Sequence, residues 1–374
     1  MIMVPGGGRW LLGGGGGALG AGGVRSAGRG GRQLRYSNKQ SYFNGGQGGR
    51  ILLSVTIADR AEADPTAPPG EPVPNALARG FGLLGDEWSL FLLRLMLQGL
   101  TRYSEFRAAL PISHAVLTSR LDTLVREQLV DKREYQQHPV RAEYVLTERG
   151  RSTWPILVSI WGWERAQVTH HAYATPPLHH KACGHDFLPL LTCAHCHAAT
   201  GPRDLKAAWG PSGGWRESVP ETTTRRRSDS RRTAVAHSFY PDTMAVFGNR
   251  WSSALVGAAF LGVRRFTDFQ SLLAVPPGLL SDRLSSLCAH GILEQVQRAP
   301  RPDWAEYRLT GKGLAFFPVI ATAIAWSERW FGAERGPAVS IVHRACGSAF
   351  HGVLACDQCG AVLAAADIEI GPED

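Results

Sequence analysis

One feature constrains the fold of this chain more than any other: residues 85–196 occur a second time further along the sequence. Each landmark returns 163 residues later, so that Trp88 matches Trp251 and Arg120 matches Arg283. The constant offset means that no loop between the landmarks has gained or lost a residue on balance. We therefore interpret the chain as a tandem duplication of one domain, and its function must reside in the repeated unit.

Within the first copy, hydrophobic spacing predicts helices that form a helix-turn-helix. The apolar residues from Trp88 to Leu95 fall on one face of a helix that ends at Gly99. Thr101 is placed to cap a second helix, and Ser113 is placed to cap a third. Two short helices joined by a tight turn, the second with a polar outer face, are typical of a helix-turn-helix.

A β-hairpin, or wing, is predicted to follow. Residues 129–135 and 143–146 are strand-like, and a loop over 136–141 joins them. Thr147 can cap a last helix, which Pro155 would kink or restart. The expected fold class is therefore α+β and mainly helical.

The order of these motifs resembles a known family. Gly-x-x-Trp, Arg-Tyr-x-Glu-Phe, Leu-x-x-Arg-Leu and Glu-Tyr-x-Leu-Thr succeed one another over residues 75–168 and, in variant form, over 238–331. In this they resemble the HxlR-type winged helix-turn-helix regulators, bacterial transcription factors of the wider MarR-like group. The resemblance implies a cytoplasmic, nucleoid-associated regulator that binds specific double-stranded DNA. Its recognition helix would begin near Ser113, and its wing would touch the minor groove or phosphates.

DNA contacts are expected on the outer face of each recognition helix and on each wing. Hydroxyl and imidazole groups can reach bases or phosphates there, whereas a merely solvated helix surface is the alternative role. Arg120 suits a phosphate contact, or else it forms a salt bridge within its own domain. The expected DNA-binding residues are His114, Thr118, Ser119, Arg120, His138, Arg141, Ser281, Arg283, Arg298 and Arg301.

Each copy ends with His-x-x-Cys followed by Cys-x-x-Cys, a pattern typical of metal ligands. Two pairs at this spacing fit two knuckles around one tetrahedral zinc ion. We expect two zinc ions, both mainly structural, one held by His180, Cys183, Cys193 and Cys196 and the other by His343, Cys346, Cys356 and Cys359. Reduced thiols without a metal, or a redox-active pair, are the alternatives.

The formal net charge of +8 is weak evidence that the folded domains bind DNA. Residues 1–72 and 225–232 together hold the whole surplus, so any basic face elsewhere must arise by segregation of charge. The first of these segments is glycine-rich and is expected to be disordered, because it cannot bury enough apolar surface to offset its chain entropy. No apolar stretch approaches the length of a membrane span, and we expect no membrane partner.

The domain order expected from these patterns has six parts. They are a glycine-rich tail over 1–72, a winged domain over 73–170, a zinc-knuckle-like module over 171–205, a basic flexible linker over 206–237, a second winged domain over 238–333 and a second module over 334–370.

The duplication predicts that the two copies pair within one chain. A linker of about 30 residues is long enough to let them face each other. The pairing helices are expected near Leu77–Leu84, Trp154–Trp163, Phe239–Phe247 and Phe317–Trp326. A homodimer of whole chains with four wings is the alternative.

Two other functional classes compete with sequence-specific DNA binding. One is a protein-interaction scaffold, and the other is a thiol- or metal-responsive sensor without specific DNA readout. No nucleophile–base set rises above background, so we do not expect an enzyme.

Overall fold

The helices of the first copy begin where the sequence offers capping side chains. The computed structural model describes residues 73–138, 140–169, 175–220, 240–297 and 305–371. The first four helices are α1 (Ala76–Leu84), α2 (Glu87–Leu97), α3 (Tyr103–Ala109) and α4 (His114–Arg126). Asn75, Asp86 and Ser113 cap α1, α2 and α4 by accepting hydrogen bonds from amides of the first turn.

Helix α3 begins differently from the prediction. Its N-cap is Arg102 rather than Thr101, and the Glu105 carboxylate accepts hydrogen bonds from both of those backbone amides at 2.8 Å. The predicted cap at Thr101 is wrong because Glu105, three residues into the helix, reaches back to satisfy the free amides. The turn into α4 forms as predicted, and Leu117, Leu121 and Leu124 bury the inner face of α4.

The wing is longer in its strands and shorter in its turn than the sequence suggested. Strands β1 (Val130–Gln137) and β2 (Val140–Leu146) pair antiparallel, with an irregularity between Glu134 and Gln136. Most of the predicted loop 136–141 therefore belongs to the ladder. Thr147 caps the short helix α5 (Glu148–Arg151), and α6 (Trp154–Gln167) then starts anew with Pro155 in its first turn.

Four short strands complete the first copy. They are β3 (Leu178–His180), β4 (His185–Phe187), β5 (Pro189–Cys193) and β6 (Leu205–Trp209). The predicted flexible linker was placed from residue 206 onwards, but residues 206–209 form most of β6 and residues 210–220 form ordered turns after it. The arginine-rich run 225–232 lies outside the described residues.

The second copy repeats the same order. Its winged domain contains α7 (Pro241–Phe247), α8 (Arg250–Phe260), α9 (Phe266–Leu273), α10 (Pro277–Ala289), β7 (Leu293–Val296), β8 (Glu306–Leu309), α11 (Gly311–Ala315) and α12 (Phe317–Phe331). The strands β9 (Val339–His343), β10 (Gly352–Cys356) and β11 (Ile368–Ile370) follow. Among the described residues, no helix is both long and apolar enough to cross a membrane.

The helices that flank the two winged domains pack against each other across the copies. Helix α1 lies against α12, and α6 contacts both α7 and α12. The contacts are reciprocal: the indole Nε1 of Trp163 donates to the carbonyl of Lys312 at 3.1 Å, and the indole of Trp326 donates to the carbonyl of Arg149 at 3.2 Å. Each of these residues is separated from its counterpart by the same 163 positions, so one contact is repeated by a pseudo-twofold relation.

The short strands pair between copies rather than within them. β5 pairs antiparallel with β10, and Leu191 lies opposite its own counterpart Leu354. β11 adds to the β3–β4 hairpin of the first copy, while β6 of the first copy pairs with β9 of the second. The two separate modules predicted over 171–205 and 334–370 are therefore one interleaved assembly of strands from both copies.

Candidate nucleic-acid interface and metal centres

The outer face of α4 is exposed, while its inner leucines fill the core. His114, Thr118, Ser119 and Asp122 are all solvent-exposed and line a shallow groove on the surface. Arg126 continues the same groove at the end of the helix and is a cation that the sequence-based list lacked. A capped helix with a polar outer row after a tight turn has the form of a recognition helix.

Helix α3 holds the start of this row in place. The Tyr103 hydroxyl lies 3.1 Å from Nδ1 of His114 and 3.3 Å from Oγ1 of Thr118, and the Tyr103 and His114 rings stack with centroids 5.9 Å apart. Sequence reasoning missed Tyr103. Its signal is its position, since the first residue of the first helix in a helix-turn-helix faces the start of the second helix.

Arg120 does not lie on this exposed row. Its Nε atom is 2.8 Å from a carboxylate oxygen of Asp86, and the side chains are 17% and 11% exposed. The phosphate contact expected for Arg120 is therefore wrong, and the alternative, a salt bridge within the domain, is what the structure shows. The cause is Asp86, the cap of α2, which faces α4 and fixes Arg120 against the domain.

The wing of the first copy carries exposed cations on both strands. His138 and Arg141 are exposed at its tip, as the sequence suggested. Lys132 is exposed on β1, and the guanidinium of Arg102 lies 5.5 Å from the centre of the exposed Tyr135 ring. Neither Lys132 nor Arg102 was predicted. No alternation along β1 marked Lys132, because residues 131–135 are all exposed, and Arg102 lies outside the strand as the N-cap of α3.

The second copy presents a different surface. Ser281 is exposed on α10, but Asp282 is exposed beside it and Arg283 is half-buried. Arg283 has Asn249 where Arg120 has Asp86, so the ion pair of the first copy does not explain its position, and its DNA contact stays a prediction. Arg298 and Arg301, expected on the second wing, lie outside the described residues.

Two clusters of three cysteines and one histidine lie among the interleaved strands. One joins His180 and Cys183 to Cys356 and Cys359, and the second joins Cys193 and Cys196 to His343 and Cys346. Within each cluster the candidate ligand atoms all lie within 4.8 Å of one another. Nδ1 of His343 is 3.3 Å from both the Cys196 and the Cys346 sulfurs.

The eight predicted ligands therefore come together, but in a different grouping. Each cluster takes two residues from each copy, so the two within-copy sets predicted from the sequence are wrong. The reason is the β5–β10 ladder, which places Cys193 opposite Gly352 and Cys356 opposite Pro189, at opposite ends of the strand pair. β5 thereby carries Cys193 away from the His180 hairpin and towards the second copy.

The donor chemistry fits a tetrahedral thiophilic ion. Sulfur ligands about 2.3 Å from zinc would be about 3.8 Å apart at tetrahedral angles. Cys183 and Cys356 have their sulfurs 3.9 Å apart, and Nδ1 of His180 is 3.3 Å from Cys183 and 3.5 Å from Cys359. Both histidines are almost fully buried, at 1% exposed, which holds their rings in this orientation.

The protein environment makes the thiols of the clusters unequal. The backbone amide of Ser348, with support from His343, lowers the pKa of Cys346 to about 6. Burial raises the pKa of Cys356 to about 11. The two clusters also differ in their surroundings, since Oγ1 of Thr200 lies 3.5 Å from Nε2 of His343, whereas the counterpart of Thr200 beside the other cluster is Leu363.

Comparisons with known proteins locate the same unit twice. The family model described as HxlR-like helix-turn-helix matches residues 83–172 and 246–335. An uncharacterized HTH-type transcriptional regulator of Mycobacterium bovis is 32% identical over 144 residues, which is 37% of this chain and 91% of the relative. The Bacillus subtilis regulator YdzF, also described as uncharacterized and HTH-type, is 33% identical over 91 residues, or 24% of this chain and 84% of the relative. A solved structure of the redox regulator HypR in its oxidized form is 32% identical, covers 24% of this chain and 92% of that one, and has a TM-score of 0.23.

Proposed function

The chain belongs to the HxlR-like helix-turn-helix family of transcriptional regulators and carries two copies of the family domain, and from this premise we propose that it is a sequence-specific DNA-binding regulator. The observation that carries the proposal is the exposed row on α4, flanked by an exposed wing and held in position by Tyr103. Hydroxyl and imidazole groups on such a row contact base edges and phosphates in a major groove, while wing cations contact the backbone beside it.

One chain is proposed to cover one operator with two half-sites. The reciprocal contacts of Trp163 and Trp326 relate the copies by a pseudo-twofold axis, as subunits are related in a dimeric regulator. Dimeric helix-turn-helix proteins place their recognition helices in successive major grooves about 34 Å apart. Because α4 and α10 carry different outer residues, the operator is expected to be an imperfect palindrome with unequal half-sites.

Selection of bound sites from random duplex DNA tests this function directly. On a selected duplex, Arg141→Ala is expected to weaken binding and to reduce the salt slope by about 1, because a phosphate contact is lost. Arg329→Ala, an equal change of charge on α12 away from both helix-turn-helix elements, is the matched control. Failure to enrich any sequence, or equal effects of the two variants, would contradict the proposal.

The oligomeric state distinguishes a single chain that covers both half-sites from a homodimer of whole chains. Sedimentation at micromolar concentration is expected to show a monomer. The same monomer is expected to cover two half-sites on the selected duplex. An obligate dimer of whole chains, with four wings, would rule out a self-sufficient single chain. A folded protein without preference among duplexes would instead favour the scaffold or sensor class.

We also propose that each Cys3His cluster holds one structural zinc ion and thereby clamps the two copies together. The grouping of the ligands gives the proposal a specific prediction: Cys196 and Cys346, which are 150 positions apart, would bind the same ion. Elemental analysis is expected to give about two zinc ions per chain. A protein that is folded, active and free of metal would contradict the proposal, and reversible loss of DNA binding on thiol oxidation would favour the sensor class.

Double substitutions test the shared clamp. Cys196→Ser with Cys346→Ser should remove about one ion, because both residues belong to the same cluster. Cys196→Ser with Cys359→Ser should remove both ions, because these residues belong to different clusters. Ligand sets confined to one copy predict two ions lost in the first variant, as they do in the second, so metal content distinguishes the groupings.

A further inference from the structure

Two chambers at the junction of the copies are related by the pseudo-twofold axis, and they differ sharply in how they are filled. The first lies among α2, α6 and α7, and the second lies among α8, α12 and α1. Nine of the twelve residues that line the first chamber have their counterpart, at the offset of 163 residues, in the lining of the second. The first chamber retains a cavity of only about 30 Å³, whereas the second retains about 120 Å³.

Large side chains of the chain itself occupy the first chamber. The Phe91 ring stacks on Tyr240 with centroids 5.3 Å apart. The Arg94 guanidinium lies 4.5 Å from the centre of the Trp161 ring and donates to the Tyr240 hydroxyl at 3.0 Å. An aromatic ring and a cation–π pair thus fill this space from within.

Small side chains stand at the equivalent positions of the second chamber. Phe91 is replaced by Ala254, Arg94 by Gly257, Trp161 by Ile324 and Tyr240 by Leu77. A methyl group added at Gly257 would meet no atom within 4 Å, so the space beside α8 is open. The cavity exists because the second copy lacks the ring and the guanidinium that the first copy inserts.

The residues that line this cavity indicate the chemistry of the molecule that it would bind. They are mainly apolar and rich in aromatic rings, with Phe81, Phe260, Trp209 and Trp215 among them. The indole Nε1 of Trp209 is buried, and no hydrogen-bond acceptor reaches it within the described part of the chain. An unsatisfied buried donor destabilises the fold, and an acceptor on a bound molecule would satisfy it.

We propose that this cavity binds a ring-sized, mainly apolar small molecule that carries one hydrogen-bond acceptor. Its ring takes the place that Phe91 occupies in the first chamber, and its acceptor receives the Trp209 N–H. The volume is of the right order, because dry apolar cavities of about 150 Å³ bind benzene. The occupant touches α1 of the first copy and both α8 and α12 of the second, so its binding stabilises the packing of the copies.

Acetophenone and toluene are suitable probes, because both carry a phenyl ring and only the ketone carries an acceptor. The full chain is expected to bind acetophenone saturably in titration calorimetry and to unfold at a higher temperature in its presence. Trp209→Phe keeps a ring and removes the donor, so it should weaken acetophenone binding about fivefold to tenfold and leave toluene binding unchanged. Equal losses for both probes would contradict the role of the N–H group.

Filling the cavity provides the second arm of the test. Ala254→Phe restores the residue of the first copy and is expected to abolish binding of both probes, with no loss of thermal stability. Ala259→Ser, a conservative change on the same helix at a position outside the cavity lining, is the control and should bind both probes as the parent chain does. Absence of saturable binding by the parent chain, or binding that survives in a folded Ala254→Phe variant, would overturn the proposal.

Discussion

The two copies repeat one hydrogen bond at their interface and differ on the faces that meet solvent and around the space that they enclose. Trp163 and Trp326 make the same hydrogen bond in opposite directions across the interface. On the recognition helices, by contrast, Ser119 is matched by Asp282 and Arg126 by Ala289. A change at a contact that both copies share affects both of them at once, whereas each outer face is free to change alone.

The largest expected effect tests the unequal DNA faces. Thr118→Asp should lower affinity for a selected operator by on the order of 100-fold, because a carboxylate is placed where the helix approaches DNA. The matched change Ser281→Asp should lower it about tenfold, since α10 already carries the exposed Asp282 and is expected to contribute less binding energy. Filter binding or fluorescence anisotropy at one salt concentration would measure both. Equal losses would show that the copies contribute equally despite their different faces.

A second difference between the copies is buried at the interface. Glu164 is fully buried, and its carboxylate accepts hydrogen bonds from the backbone amide and hydroxyl of Thr243, whereas the equivalent pair is Ser327 and Gly80. Burial raises the pKa of Glu164 to about 7. An acid whose pKa is raised on folding destabilises the fold as pH rises from its unfolded pKa towards its folded pKa.

Glu164→Gln should therefore stabilise the protein above pH 7, by about 3 kcal/mol, and leave stability unchanged below about pH 4. The amide oxygen of glutamine can still accept from Thr243, so the neutral interaction is kept. Denaturant unfolding at pH 4 and pH 8 would measure the change, with Ser327→Ala as a control whose effect is independent of pH. A gain of the same size at both pH values would refute the titration of Glu164 as its cause.

Close approach at the same interface position gives a third test. A Cβ atom added at Gly80 would lie 1.9 Å from the hydroxyl oxygen and 2.6 Å from the Cβ atom of Ser327. Gly80→Ala should therefore destabilise the protein by about 1–3 kcal/mol, although alanine favours helices. Gly257→Ala, where α8 borders open space, should instead stabilise by up to about 1 kcal/mol. A stabilising Gly80→Ala would mean that α1 and α12 separate easily.

The sequence predicted those parts of the fold that depend on local spacing. The caps at Ser113 and Thr147, the inner leucines of α4 and the restart of a helix at Pro155 follow from residues within a few positions of one another. The pairing of ligands did not follow, because an x2 spacing identifies a knuckle and says nothing about which two knuckles share an ion. That choice is made by the β5–β10 ladder, whose paired residues are 159–167 positions apart.

Arg120 shows the same limit at the candidate site. Helical periodicity places it near the outer face, but the side chain is long and Asp86, the N-cap of α2, attracts it inward. The cavity was equally beyond sequence reasoning, since Ala254 and Gly257 are ordinary helix residues. Only the comparison with Phe91 and Arg94, at the equivalent positions of the first copy, shows that a ring and a guanidinium are missing from the second.

The smallest expected effect concerns the counterpart of the Arg120–Asp86 pair. Arg283 occupies the place of Arg120, but Asn249 stands where Asp86 stands, so the buried Nε atom of Arg283 has no carboxylate at the position that pairs with Arg120. Asn249→Asp should supply that carboxylate and stabilise the second copy by about 1 kcal/mol through an ion pair. Aspartate also preserves the cap that Asn249 provides to the Trp251 amide.

Two further variants separate the ion pair from the cap. Asn249→Ala should destabilise by about 1 kcal/mol through loss of the cap alone. Arg283→Ala combined with Asn249→Asp should cancel the gain, because the added carboxylate then has no cation to contact. Thermal unfolding of the parent chain, of Asn249→Asp, of Arg283→Ala and of the combined variant at neutral pH would give the coupling as a double-mutant cycle. A gain from Asn249→Asp that persists without Arg283 would assign it to better capping of α8, and the copies would then differ there in helix-end stability and not in an ion pair.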